Sequence, residues 1–229
     1  MTGSPSNLDV LHRSPSLGAL AIVFTSLFLG SLASQAIMTG GVPFPIPYNS
    51  VSEIQAYYTR FPDVLRVASF LQFGAAIPLG LFTATIVSRL LFHKVNAAGV
   101  HIALFGGLMA SALLAVSALA SWTLSQPGVA TEIGAMRAVE LFAFATGGFG
   151  NVAAMGLLLA GVSVPSLFLR LMPRWACWLG LIFAAVAELS TLSMVFPALS
   201  VLLPLARFPA FVWMIVAGFT VPKGRRQNP

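Results

Sequence analysis

The sequence predicts an all-α, polytopic transmembrane helical bundle of about six spans with both ends in the cytoplasm (N-in/C-in), and three observations carry that prediction. Apolar residues make up 58% of the 229 and charged residues only 8%, against roughly 25% charged in a soluble domain. Apolar runs of about 20 residues, the length that spans ~30 Å of hydrocarbon, recur along the chain. Lys and Arg gather in alternate connections between those runs. So few charges could not cover a soluble surface, and in lipid each run must satisfy its own backbone polar groups by coiling.

Met1 to Ser16 is rich in Ser, Pro and Asn and reads as an unstructured cytoplasmic N-terminus. The first span is Leu17 to Met38, too long for a signal-peptide core and followed by five more. An outer loop from Thr39 to Asp63 comes next. In it Gly40 and Gly41 end the first helix, and Pro43, Pro45 and Pro47 hold the chain extended. Ser50 and Glu53 have capping-box spacing, so Val51, Ile54, Tyr57, Tyr58 and Phe61 form one face of a short interfacial helix ended by Pro62, its tyrosines at headgroup level. Further spans cover Val64 to Leu91, Ala97 to Leu124, Ala138 to Val164, Trp175 to Ala198 and Ser200 to Val221, with Pro197 and Pro204 marking a tight turn before the last. Residues 223–229 form a basic cytoplasmic tail.

Of the twelve Lys and Arg residues, eight (Arg13, Arg89, Lys94, Arg170, Arg174, Lys223, Arg225, Arg226) fall on the side of the termini and four (Arg60, Arg66, Arg137, Arg207) on the other. That bias orients the bundle. The net charge of +6 therefore reports topology, and without a basic patch interleaved with aromatics it does not point to nucleic acid. A single cysteine, Cys177, excludes an internal disulfide and any multi-cysteine metal site. No nucleophile elbow or phosphate loop is present, and Thr146-Gly-Gly-Phe-Gly-Asn151 lacks the Lys-Ser/Thr ending of one. Close helix packing is its first meaning, and a local break exposing carbonyls its second.

The openings of the second and fourth spans match in register, Arg66 with Arg137 and Phe73 with Phe144, and both run to a basic turn and return. This suggests two duplicated hairpins related by an axis along the membrane normal. Charges within the spans are more informative, because each costs at least ~2.5 kcal/mol at the bilayer centre and must be paired or wet. Glu188, about 13 residues into the fifth span, and Arg207, in the outer third of the sixth, are expected to pair. Arg137 and Glu140, three apart, form a second pair. Together with Arg66, Gln72, Asn151, Ser190 and Thr191 they outline an outward-facing polar pocket between spans 2, 4, 5 and 6.

Three stretches carry a family resemblance: Gly156-Leu-Leu-Leu-Ala-Gly-Val-Ser-Val-Pro-Ser-Leu, Leu171-Met-Pro-Arg-Trp with Trp178-Leu-Gly-Leu, and Leu203-Pro-Leu-Ala-Arg-Phe-Pro-Ala-Phe-Val-Trp213. They resemble a family of small bacterial six-helix integral membrane proteins grouped under a domain of unknown function. The likeness runs from Leu17 to Pro222 and implies a bacterial inner-membrane location, with no substrate or functional residue to carry over. The leading expectation is a non-enzymatic accessory or interaction subunit of a membrane assembly, partnered by lipid and by other membrane proteins or its own copies. A small-molecule or ion carrier using the outward pocket is the alternative. No cofactor is expected beyond a bound lipid.

Overall fold

The computed structural model describes residues 9–226, and the apolar length of the chain is helical in it. Helix α1 (Leu17–Met38) opens on Ser16, whose hydroxyl accepts from the Ala19 amide. After it come α2 (Val51–Arg60), α3 (Pro62–Phe92), α4 (Ala98–Leu124) and α5 (Ile133–Ala145). A single π-helical turn (Thr146–Gly150) joins α5 to α6 (Asn151–Leu169), so the two form one long span. Next, α7 (Arg174–Leu189) runs into two short 3-10 turns (Ser190–Met194 and Pro197–Val201), and α8 (Leu202–Thr220) closes the bundle. Six segments are long and apolar enough to cross a membrane; this is a multi-pass membrane protein.

Neighbouring spans pack in chain order: α1 on α3, α3 on α4, α4 on α6, α6 on α7, α7 on α8, and α8 back on α1. The six therefore form a closed ring, in which the two seams made by α8 are the least extensive. Small residues set the tightest crossings. A β-carbon on Gly161 would lie 2.5 Å from the Gly99 carbonyl of α4, and one on Gly218 would lie 2.7 Å from the Gly18 amide of α1. In lipid, which supplies no hydrophobic force between helices, such backbone approach is what holds spans together.

The segments before α1 and after α8 lie side by side, and there they bind each other. Of the stretch read as unstructured, residues 1–8 lie outside the described range, as do 227–229 of the tail. Asp9–Leu11 is a strand, β1, antiparallel to β2 (Gly224–Arg226), with Leu11 opposite Gly224. The expectation of an unstructured N-terminus is thus corrected for residues 9–11. Because α1 and α8 are adjacent, two short extended segments satisfy one another's backbone groups. The turns after α3 and α6 share this face, and each places a basic residue in the left-handed region, Lys94 (φ 58°) and Arg170 (φ 54°). The following amides, of Val95 and Leu171, donate to carbonyls five residues back, Leu90 and Ser166. Both hairpins therefore turn through the same C-terminal capping motif.

On the opposite face, the loop face, the capping box of Ser50 and Glu53 is present and starts α2. Gln55 Nε2 then ties α2 to the α4–α5 connection through the Ala130 and Thr131 carbonyls, each at 3.2 Å. The helix packs its apolar face onto the bundle. Ile54, Tyr57 and Tyr58 are buried, together with Leu65, Leu124 and Met136. The tyrosines thus face the protein rather than an open surface.

Candidate functional site

A cavity of about 520 Å³ occupies the loop-face end of the ring. Its walls come from α1, α3, α4, α5, the π turn and α8, and the Phe44–Tyr48 segment and Tyr58 of α2 also line it. Most of the lining is apolar, with Phe28, Leu65, Leu114, Phe144 and Leu203 on different elements. Sites for small molecules commonly have this volume and this balance of apolar wall to a few polar groups. Spans 1 and 3 contribute besides the expected 2, 4 and 6, and the Pro197–Val201 turn adds Ala198, Ser200 and Val201, whereas α7 contributes nothing.

Two charged side chains face the space, Glu140 and Arg207, and their circumstances differ. Glu140 Oε2 accepts from Arg137 Nη1 at 2.5 Å, and the carboxylate side chain is 4% exposed. Arg137 Nη2 also donates to the Pro47 carbonyl at 3.2 Å. One guanidinium thus neutralises Glu140 from behind and pins the proline strap. Tyr58 stands next to this pair; burial first, and then the Glu140 carboxylate, push its phenol well above the ordinary 10.0. Burial raises the Tyr57 phenol as well.

Arg207 has no such partner. Its Nη2 donates to the Gly147 carbonyl, its guanidinium lies 5.5 Å from the centroid of the Phe28 ring, and its Nε is buried without a hydrogen bond. Among the described residues no carboxylate comes within 4.0 Å of it. The Gly147 carbonyl belongs to the π turn, where the regular ladder is interrupted and backbone groups become free for other partners. The glycines also allow close approach, since the Ser117 hydroxyl of α4 occupies the place a Gly147 side chain would need. The close packing read in the Thr146–Asn151 stretch is therefore present, and the break in the same turn gives its Gly147 carbonyl to Arg207.

The nine expected residues divide. Gln72, Glu140 and Arg207 line the cavity. Arg137 stands behind it. Arg66 instead pairs with Asp63 at 2.8 Å at the surface and reaches the Ser125 carbonyl. Asn151 is buried and donates to the Ala110 carbonyl at 2.8 Å, joining α6 to α4.

The expected Glu188–Arg207 pair does not form. Helix α7 ends at Leu189 rather than running to Ala198, so Glu188 sits at its last turn, exposed, with its carboxylate over Gly156 of α6. Ser190 and Thr191 act locally: their hydroxyls donate to the Ala187 and Glu188 carbonyls, both at 2.6 Å. Ser193 does the same to Ser190. Such back-bonding offers the carbonyls an alternative to the α-helical ladder, and here the chain tightens into 3-10 geometry. Glu188, Ser190 and Thr191 thereby leave the candidate site.

Sequence reasoning missed Tyr58, Phe28 and the Phe44–Tyr48 strap. The strap's alternating prolines were the available signal, because a stiff segment spanning helix ends makes a natural lid over a gap. Gln72, Ser121 and Ser200 line the cavity, and among the described residues their side chains bond no protein group. Three or more His, Cys, Asp or Glu side chains grouped as a metal site requires do not occur among the described residues. No family model, curated protein or solved structure matches the chain.

Proposed function

We propose that this protein is a non-enzymatic binder or carrier of an amphipathic anion, seated in the bacterial inner membrane with its loop face outward. One observation carries the reading: Arg207 presents a cation to a largely apolar cavity with one carbonyl and the Phe28 ring face as its protein partners and no carboxylate among the described residues. A charge inside a span is costly unless paired or wet, and every other charge lining or backing this cavity is already paired. An anionic group of a ligand would complete Arg207, and Gln72 and Ser121 offer further polar contacts beside it. The aromatic and aliphatic walls suit an apolar body attached to that group. Location and orientation rest on the distribution of Lys and Arg and on the family resemblance of the sequence. An accessory-subunit role gives no reason for an uncompensated cation beside a cavity of this size, so the carrier reading takes precedence.

Thermal unfolding of the protein in a neutral maltoside detergent tests this. Dodecyl phosphate at about 100 times its dissociation constant stabilises by about 2.7 kcal/mol, and dodecanol, its neutral counterpart, does not. Arg207→Gln abolishes the difference. Equal shifts for both compounds, or for wild type and variant, would overturn the reading.

A further inference from the structure

A second cavity of about 410 Å³ lies in the seam between α7 and α8, and its lining is almost wholly apolar. Its walls are two stripes at helical spacing: Trp175, Leu179 and Phe183 on α7, and Phe208, Val212 and Val216 on α8. Positions i, i+4 and i+8 share a helix face, so each stripe runs along its helix for about 12 Å at 1.5 Å per residue. Trp175, Leu179 and Val212 are exposed at the surface of the bundle, where the bilayer lies. Phe208 is the one described residue that lines both this groove and the Arg207 cavity. Phe208, next in sequence to Arg207, thus borders both spaces.

Two features make this seam the natural place for passage. The contacts α8 makes with its neighbours are the least extensive in the ring. Pro209, inside α8, has no amide to give the Leu205 carbonyl, which weakens the helix at the turn that carries Phe208. Around Phe208 on the cavity side, Phe211 packs on Phe24 and Phe28 at centroid distances of 4.8 and 5.0 Å, so the floor below Arg207 is closed. An apolar chain attached to an anion at Arg207 therefore reaches further apolar space sideways, once the Phe208 side chain moves aside.

We infer that the cavity is loaded laterally from the bilayer, and that its occupant is a single-headed anionic lipid whose headgroup meets Arg207 while its acyl chain lies between α7 and α8. This rests on the proposed anion site and adds to it the ligand class and the route. A free metabolite anion of the same head chemistry would enter from the loop face and leave the groove to bulk lipid. Charge complementarity at Arg207 and the shared Phe208 border of the two cavities favour the lipid.

Photocrosslinking distinguishes these outcomes. The probe is a long-chain alkyl phosphate bearing a diazirine at its terminal carbon, added to full-length protein in phosphatidylcholine nanodiscs, with labelled residues mapped by peptide mass spectrometry. Lateral loading gives labels on Phe183 or Val212 that are competed away by unlabelled alkyl phosphate. Loss of the charge contact in Arg207→Gln lowers them at least ~10-fold, the equivalent of about 1.4 kcal/mol. Phe208→Ala, a change at a half-exposed position, raises the rate at which competable labelling appears. Competable, Arg207-dependent labels confined to Phe28 and Leu65 would overturn the lateral route and leave the anion site standing. Groove labels that neither compete nor respond to Arg207→Gln would show adventitious lipid and also overturn it. Absence of any competable label at either place would overturn the anion site itself.

Discussion

Arg89 and Arg207 are both arginines inside spans with no carboxylate partner, and the ends of the molecule use them in opposite ways. Arg89, 1% exposed, gives Nη1 to the Val221 carbonyl at 3.2 Å and Nη2 to Ser14 Oγ and the Pro15 carbonyl at 3.4 and 3.2 Å. Its oxygens come from the segments before α1 and after α8, so one guanidinium ties both ends of the chain to α3. His93 Nε2 meets the Pro222 carbonyl at 2.9 Å, and His12 Nε2 meets Ser88 Oγ at 3.0 Å, around the β1–β2 pairing. Arg207 has one carbonyl and a cavity. Arg89 and Arg207 both keep Nε buried without a hydrogen bond among the described residues, but a cation whose two Nη groups reach three oxygens is a knot, whereas one that reaches a single carbonyl beside empty volume is a binding group. The contrast also separates the two faces of the bundle, one sealed by its own termini and one open beneath a proline strap.

The largest expected effect lies at the knot. Arg89→Met leaves the buried Val221 carbonyl without its donor, at roughly 1–3 kcal/mol, and removes two part-buried hydrogen bonds to Ser14 and Pro15 at about 0.5–1.5 kcal/mol each, so the stability read by thermal unfolding in detergent should drop by about 2–6 kcal/mol. The fraction that folds should bind dodecyl phosphate as wild type does. If stability falls by less than about 1 kcal/mol, the termini are not held through Arg89. Glu140→Gln comes next. It removes the ionic partner of Arg137 while keeping the shape, and should cost about 1–3 kcal/mol, read in the same unfolding experiment. An unchanged midpoint would mean that the strap does not depend on the pair.

Arg207→Gln should shift stability by less than about 1 kcal/mol, because relief of the buried charge offsets the lost Gly147 bond and Phe28 contact, while removing anion binding. A loss of several kcal/mol would make Arg207 a second knot and erase the contrast. Smallest of all is Arg66→Ala. Its pair with Asp63 is 46% and 77% exposed, and surface pairs of this kind contribute within about 0.5 kcal/mol. Alkaline titration followed by tyrosinate absorbance sharpens the account of the loop face. Folding holds the Tyr58 and Tyr57 phenols above their ordinary 10.0, so their contribution is fully present below pH 10 and lost as pH rises beyond it. Tyr58→Phe should therefore weaken the fall in stability above pH 10, and an unaltered alkaline limb would contradict the buried setting.

Much of the scaffold was legible because lipid imposes long regular helices. Leu17–Met38 follows from apolar length and the two glycines after it, and α2 follows from the spacing of Ser50 and Glu53. The Arg137–Glu140 pair was legible too, since three residues on one helix face fix their proximity. Pairing of Glu188 with Arg207 was not, because it assumed that α7 continues at constant pitch. Ser190, Thr191 and Ser193 ahead of Pro197 mark where it does not, through hydroxyls that compete for the helix's own carbonyls. The π turn needed the structure as well: Gly-Gly-Phe-Gly permits a break but does not say which carbonyl will face which span. Burial escaped for the same reason, since the face of α2 predicted Tyr57 and Tyr58 on one side without saying that α5 would cover them.

Native mass spectrometry of protein taken from membranes with the gentlest neutral detergent, without added ligand, tests the central claim most directly. The account predicts one anionic, lipid-sized adduct on wild type and on the folded fraction of Arg89→Met, and its loss from Arg207→Gln. The same adducts in the same proportion on wild type and Arg207→Gln would contradict it.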